Sequence, residues 1–144
     1  MPTKLYDVDF SQWAVAQAEH LRNEEYAELD IDNLIDELEA MAARDRRELT
    51  RRLGCITEHF WKLSCEPNSD AVNNWKTTIT NQRAELWILL KENATLRSRT
   101  EDFIPDAYLL GLRFADGKMQ CKAEEFPARC PWTSEQLLDP NFWP

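Results

Sequence analysis

Glycine is nearly missing from this sequence, with three residues in 144. A turn-rich β fold uses glycine wherever the chain must take positive φ, so this scarcity favours helices. Long hydrophobic runs are missing too, and none approaches the roughly 18 uncharged apolar residues of a membrane span. The opening residues, MPTKLYDVDF, lack the basic-then-apolar pattern of a secretory leader, so the expected location is the cytoplasm. There is no Cys-x-x-Cys pair. Neither histidine is read as standing at zinc-ligand spacing from a cysteine, and neither has a glutamate three residues before it. No Gly-rich phosphate loop, no nucleophile elbow, and no serine or cysteine with an evident histidine partner is present. These absences argue against a conventional enzyme, and neither a metal nor a cofactor is expected.

What is present is apolar and acidic. A hydrophobic content of 43%, with six Trp and six Phe, describes a folded globule and not a disordered acidic tail. The length suits one helical domain over residues 1–144 with a core of its own. The formal charge of −9 is unevenly placed: residues 1–50 carry 5 basic and 13 acidic side chains, residues 51–100 carry 8 and 5, and residues 101–144 carry 4 and 8. An acidic whole speaks against duplex nucleic acid, whose phosphates call for clustered Lys and Arg. For the four cysteines, Cys55, Cys65, Cys121 and Cys130, reduced thiols near the core are expected in a cytosolic chain. The one conceivable clip is Cys121–Cys130.

The chain is organised around residues 30–65, which hold helical spacing throughout with no proline and one glycine. Asp30 can cap this helix, and its apolar stripe reads Ile31, Leu34, Ile35, Leu38, Met41, Ala42, then Leu49, Leu53, Ile56, Phe60 and Leu63. Gly54 marks close packing or a bend. Before it, residues 1–8 form a lead-in, and Asp9 or Ser11 caps a helix with Phe10, Trp13, Gln17 and Leu21 on one face. After it, Pro67 stops the helix. A third helix then carries Val72, Trp75, Ile79, Gln82, Leu86, Leu89 and Leu90 on its core face. The fourth helical pattern, from Leu96, contains Pro105, which should kink or divide it, and closes at Asp116-Gly117. In the aromatic tail, Thr133 to Gln136 offers a capping box. Phe126, Trp132, Leu137, Phe142 and Trp143 are expected to fold back on the bundle.

The apolar stripes are interrupted by polar residues. Asp45, Arg52 and His59 recur every seven residues along one line of the long helix. Gln82 lies on the core face of the third helix with Arg83 at its edge, and Gln17 lies on the core face of the first. An internal carboxylate needs a partner, and Arg52, Gln82 and Arg83 are the candidates for Asp45. The line is either a buried network that sets helix register, a partly exposed crossing, or a pocket. Arg52 and His59, as an R-x6-H pair, resemble the short motif of the helical-bundle ribonucleases of the HEPN superfamily. That resemblance implies metal-independent RNA cleavage, with His as acid/base and Arg stabilising phosphate charge. Leu53 and Glu58 depart from the pattern.

A second resemblance covers nearly the whole chain. The stretches YDVDFSQWAVAQAEHLR, LDIDNLIDELEAMAARDRRELTRRL, EHFWKL, NNWKTTITNQRAELWILLKENATLR and CPWTSEQLLDPNFWP, in that order, are similar to domain-of-unknown-function family 29. The resemblance implies an all-α, small bacterial protein and supplies no activity. The reading that follows is an all-α bundle of about four main helices, the one near residues 30–65 being long and central, with the aromatic tail packed on it. It would act by binding, through a protein partner or self-association and not at a membrane. The HEPN-like ribonuclease is the alternative.

Overall fold

A computed structural model describes residues 4–117, 121 and 125–144. Among them there is no strand. The protein is all-α, and its long helix spans Ile31–Cys65 as the periodicity predicts. In chain order the helices are α1 (Leu5–Val8), α2 (Phe10–Arg22), α3 (Ile31–Cys65), α4 (Val72–Glu92), α5 (Ala94–Ser98), α6 (Ile104–Ala115) and α7 (Ser134–Leu138). Single 3-10 turns lie at Tyr26–Glu28 and Thr100–Phe103. The chain forms two compact units, Met1–Ala43 and Arg44–Pro144, and α3 contributes to both.

Local chemistry accounts for most of the helix ends. The Asp9 side chain accepts from Gln12 N and caps α2, as expected. The lead-in is itself helical at α1, where sequence spacing suggests nothing regular. Pro105 does divide the fourth helical pattern: it occupies the first turn of α6, where its missing N–H has no intrahelical role. Gly117, at φ 72°, supplies the left-handed turn after α6. The α7 capping box is complete, with Thr133 Oγ1 accepting from Gln136 N and Gln136 Oε1 accepting from Thr133 N.

In the Arg44–Pro144 unit the later half of the α3 stripe is the core. Leu49, Leu53, Ile56 and Phe60 are fully enclosed with Ile79 and Leu86 of α4 and Leu137 of α7. Each such side chain contributes about 1.5–3 kcal/mol relative to exposure. The tail folds back as expected. Trp132 meets Phe60 edge-on with centroids 5.1 Å apart, Phe126 stacks on Trp61 at 4.1 Å, and the Tyr108 hydroxyl donates to Pro127 O at 2.6 Å. Gly54 marks close packing, not a bend. A Cβ built on Gly111 of α6 would lie 2.7 Å from Gly54 O, so the two backbones touch where α3 and α6 cross.

Two expectations need correction. Cys65 and Cys121 form a disulfide, with Cα atoms 5.9 Å apart. The expectation of four reduced thiols therefore fails, as does the Cys121–Cys130 alternative. Cys65 ends α3, and Cys121 follows α6 in the chain. Cys55 and Cys130 are free and half-buried, and burial pushes both thiols up from their ordinary pKa. Second, the first half of the α3 stripe is not core. Ile31, Ile35, Leu38 and Met41 are 52, 47, 63 and 52% exposed.

Candidate functional site

Helical periodicity predicts which residues share a line, and the structure shows what each one meets. Asp45 is half-buried and makes no hydrogen bond or ion pair with any described residue. It is not the buried, paired carboxylate that its place in the stripe implied, because at that level α3 lies at the margin of the core that begins at Leu49. Arg52 instead pairs with Glu48, one turn earlier on α3, at 2.8 Å, and donates to Gln82 Oε1 of α4 at 3.0 Å. Glu85 lies 3.9 Å from its other terminal nitrogen. Arg52 and Gln82, both considered as partners for Asp45, meet each other, and glutamates take the place given to Asp45.

Gln82 and Arg83 exchange their expected positions. Gln82 stands at the boundary and Arg83 is 6% exposed. The Arg83 guanidinium lies over the Phe60 and Trp143 rings, at 5.3 and 5.1 Å from their centroids. Its Nε donates to Leu137 O at 2.8 Å, and its Nη2 donates to Gln136 O and Phe142 O at 3.1 and 2.9 Å. The first two carbonyls belong to the last turn of α7, which has no further backbone donors, so a cation there is favourable twice over. Desolvation holds the Arg83 pKa below its usual value, with the Asp139 carboxylate acting in the opposite direction.

Gln17 acts within the Met1–Ala43 unit. Its Oε1 accepts from Asp30 N at 2.8 Å, while Asp30 Oδ2 accepts from Trp13 Nε1 at 3.0 Å and from Asn33 Nδ2 at 2.8 Å. The start of α3 is thus tied to α2 through the two buried residues of α2, Trp13 and Gln17. The Asn33 and Trp13 donors outweigh desolvation and hold the Asp30 carboxyl below the ordinary range. Tyr6 donates to Glu37 at 2.5 Å, and that bond pushes the Tyr6 phenol up to about 12.

His59 meets Cys55 one turn back, which corrects the expectation that no cysteine has a histidine neighbour. The His59 Nδ1 lies 2.8 Å from Cys55 O and 3.7 Å from Cys55 Sγ. One ligand atom from each of Cys55, Glu58 and His59 falls within a 4.8 Å group. A cation entering there would displace Lys62, whose Nζ is 3.1 Å from Glu58, and the imidazole-to-carbonyl bond. The arrangement is that of i, i+4 pairings along one helix, and no metal is assigned to it.

The acidic character is concentrated in one unit. Residues 1–43 carry eleven acidic and two basic side chains, and residues 44–144 carry fifteen of each, so the whole net charge of −9 lies in the first unit. Its exposed apolar line Ile31, Ile35, Leu38, Met41 runs beside exposed Asp32, Asp36 and Glu39. A family model described as Domain of unknown function DUF29 matches residues 5–143, nearly the entire chain. The chain belongs to that family. No curated protein and no solved structure matches it.

Membership in DUF29 brings no chemistry, so the chemistry of this DUF29 chain rests on its own side chains. Sequence spacing missed three groups that the fold makes important. Glu48 was legible only as one more charge on a solvated face, although its i, i+4 relation to Arg52 is the signal of their pairing. The Asp30 carboxylate reads as a simple cap and is a hub for two helices. The exposed apolar line reads as core, because periodicity reports an apolar face and not what covers it.

Proposed function

We propose that this chain acts by binding a protein partner, and that the partner presents a basic amphipathic helix to the first unit, in the setting of a bacterial cytosol. The observation that carries this reading is the line Ile31, Ile35, Leu38, Met41, about half exposed and flanked by Asp32, Asp36 and Glu39 in a unit with a net charge of −9. Apolar residues at i, i+4, i+7 and i+10 form the stripe an amphipathic helix reads. A second copy would set −9 against −9, so charge opposes self-association through this face. The same charge opposes anionic lipid and nucleic acid. No finding supports the HEPN-like alternative: Arg52 is engaged by Glu48 and Gln82, and His59 by Cys55 O.

The test is fluorescence anisotropy of a labelled Leu/Lys amphipathic helical peptide titrated with the full chain, beside a scrambled peptide of the same composition. The expected result is a Kd of order 1–10 μM for the amphipathic peptide. Leu38→Gln should weaken it about tenfold, and Asp36→Lys with Glu39→Lys should weaken it and flatten its salt dependence. Equal affinity for the scrambled peptide, or indifference to these substitutions, would overturn the reading. A concentration-dependent dimer abolished by Leu38→Gln would replace it with self-association.

A further inference from the structure

In the second unit, α4 and the short α5 that follows it bring three cations together, the buried Arg83 and the exposed Lys91 of α4 and the exposed Arg97 of α5. Arg83, Lys91 and Arg97 form the wall of one cavity of about 290 Å³ together with Trp87, Leu90 and Leu138. A second cavity of similar volume shares Arg83, Trp87 and Leu138. Among the described residues no acidic side chain lines either one. Among the described residues none of the three cations takes part in an ion pair; Asp139 acts on Arg83 only through space.

Each cation is otherwise well fixed. Arg83 is held by the tail carbonyls through Nε and Nη2 and by the Phe60 and Trp143 rings, yet its remaining nitrogen, Nη1, is buried without a hydrogen-bond partner. An orphaned guanidinium N–H in a residue 94% enclosed is costly, and such groups in native proteins usually mark a missing partner. Lys91 Nζ sits 4.9 Å from the centre of the Trp87 ring, and Arg97 Nη1 reaches Leu90 O at 3.5 Å. Trp87 is 64% exposed on this wall, an arrangement that buries little of a large apolar ring. A tail-anchoring role explains the burial of Arg83. It does not explain two further cations and a bare indole around the same space.

We infer that this wall is a binding site for a small organic oxyanion, a carboxylate or phosphate carried on an aromatic body, with the anion among Arg83, Lys91 and Arg97 and the ring against Trp87 and Leu138. Three cations that form no ion pair among the described residues supply charge-assisted hydrogen bonds to the oxyanion. The indole and leucine surfaces supply the apolar contact that such pockets combine with a few polar groups. The site is independent of the acidic face proposed for the partner helix and shares no residue with it.

Isothermal titration calorimetry of the full chain at low salt with phenylacetate, phenyl phosphate and neutral benzyl alcohol tests it. At least one anion is expected to bind with a Kd near or below about 1 mM, about tenfold or more tighter than the alcohol. Which anion is tighter assigns carboxylate or phosphate. Lys91→Glu combined with Arg97→Glu should abolish the preference for the anion with the melting temperature kept, since both side chains are exposed. Trp87→Ala should weaken both anions and the alcohol. Absence of binding by either anion up to about 10 mM, equal affinity for the alcohol, or anion affinity unchanged in the double variant would each overturn the site.

Discussion

Arg83 and Asp45 show how differently two charged residues on apolar stripes can be used. Arg83 is the donor for three tail carbonyls, so Arg83→Met would retain much of the apolar volume and leave Gln136 O, Leu137 O and Phe142 O without it. Hydrogen bonds from a charged group contribute about 1.5–3 kcal/mol each, and losing the set should lower stability by about 3 kcal/mol or more. The check is the urea midpoint at unchanged m-value. Asp45 should behave oppositely. With no partner among the described residues, Asp45→Ala should change stability by less than about 0.5 kcal/mol, and a larger loss would reveal a pairing. From the sequence, Asp45 stands in an apolar stripe and Arg83 only at the edge of one. A single helix's periodicity fixes azimuth to within one residue, enough to find Gln82 and Arg83 but not to tell which of the two faces inward. It also cannot show that the core begins only at Leu49.

Elements whose ends depend on neighbours in sequence were legible, and those whose faces depend on distant chain were less so. The Asp9 cap, the Pro105 division and the Thr133 box involve residues within four positions of one another, which is the range over which capping chemistry acts. The Gly54–Gly111 crossing needs two helices, and the sequence shows both glycines without showing that they meet. Gly111→Ala should therefore be destabilising by about 1–3 kcal/mol, because the new methyl would meet the Gly54 carbonyl, which cannot rotate away. The thermal midpoint measures it, and an unchanged value would mean that α3 and α6 do not cross this closely. The α2–α3 junction makes a pH prediction. Its Asp30 carboxyl titrates below its unfolded value, chiefly through Asn33. That contribution is complete above the unfolded pKa near 3.9 and is lost as pH falls through the lower folded value. Hydrogen-exchange protection of residues 10–43, corrected for intrinsic rate, should drop between pH 5 and pH 3. Asp30→Asn should make it flatter with pH.

At the scale of the whole molecule the fold class was open to inspection because helical signals are additive along a chain: few glycines, sustained apolar periodicity and prolines only at breaks all point one way. What closes over an apolar face is a long-range property, and so is which cysteine meets which. Hence the Cys65–Cys121 bond, 56 residues apart, and the exposed Ile31-to-Met41 line were not legible. The two units also differ in what holds them. Among the described residues of Met1–Ala43 only Trp13 and Gln17 are buried, while Arg44–Pro144 encloses Leu49, Leu53, Ile56, Phe60, Ile79 and Leu86 completely. Local opening is easiest where few apolar contacts are enclosed, and a surface meant for a partner is drawn from that end of the range. Hydrogen exchange read by mass spectrometry should therefore show residues 31–40 protected by orders of magnitude less than residues 49–63 of the same helix. Addition of the amphipathic Leu/Lys peptide should raise protection in the first segment and leave the second unchanged. Equal protection along all of α3 without peptide would mean that the first unit is already as firmly held as the second, and that its exposed apolar line does not need a partner to be stable.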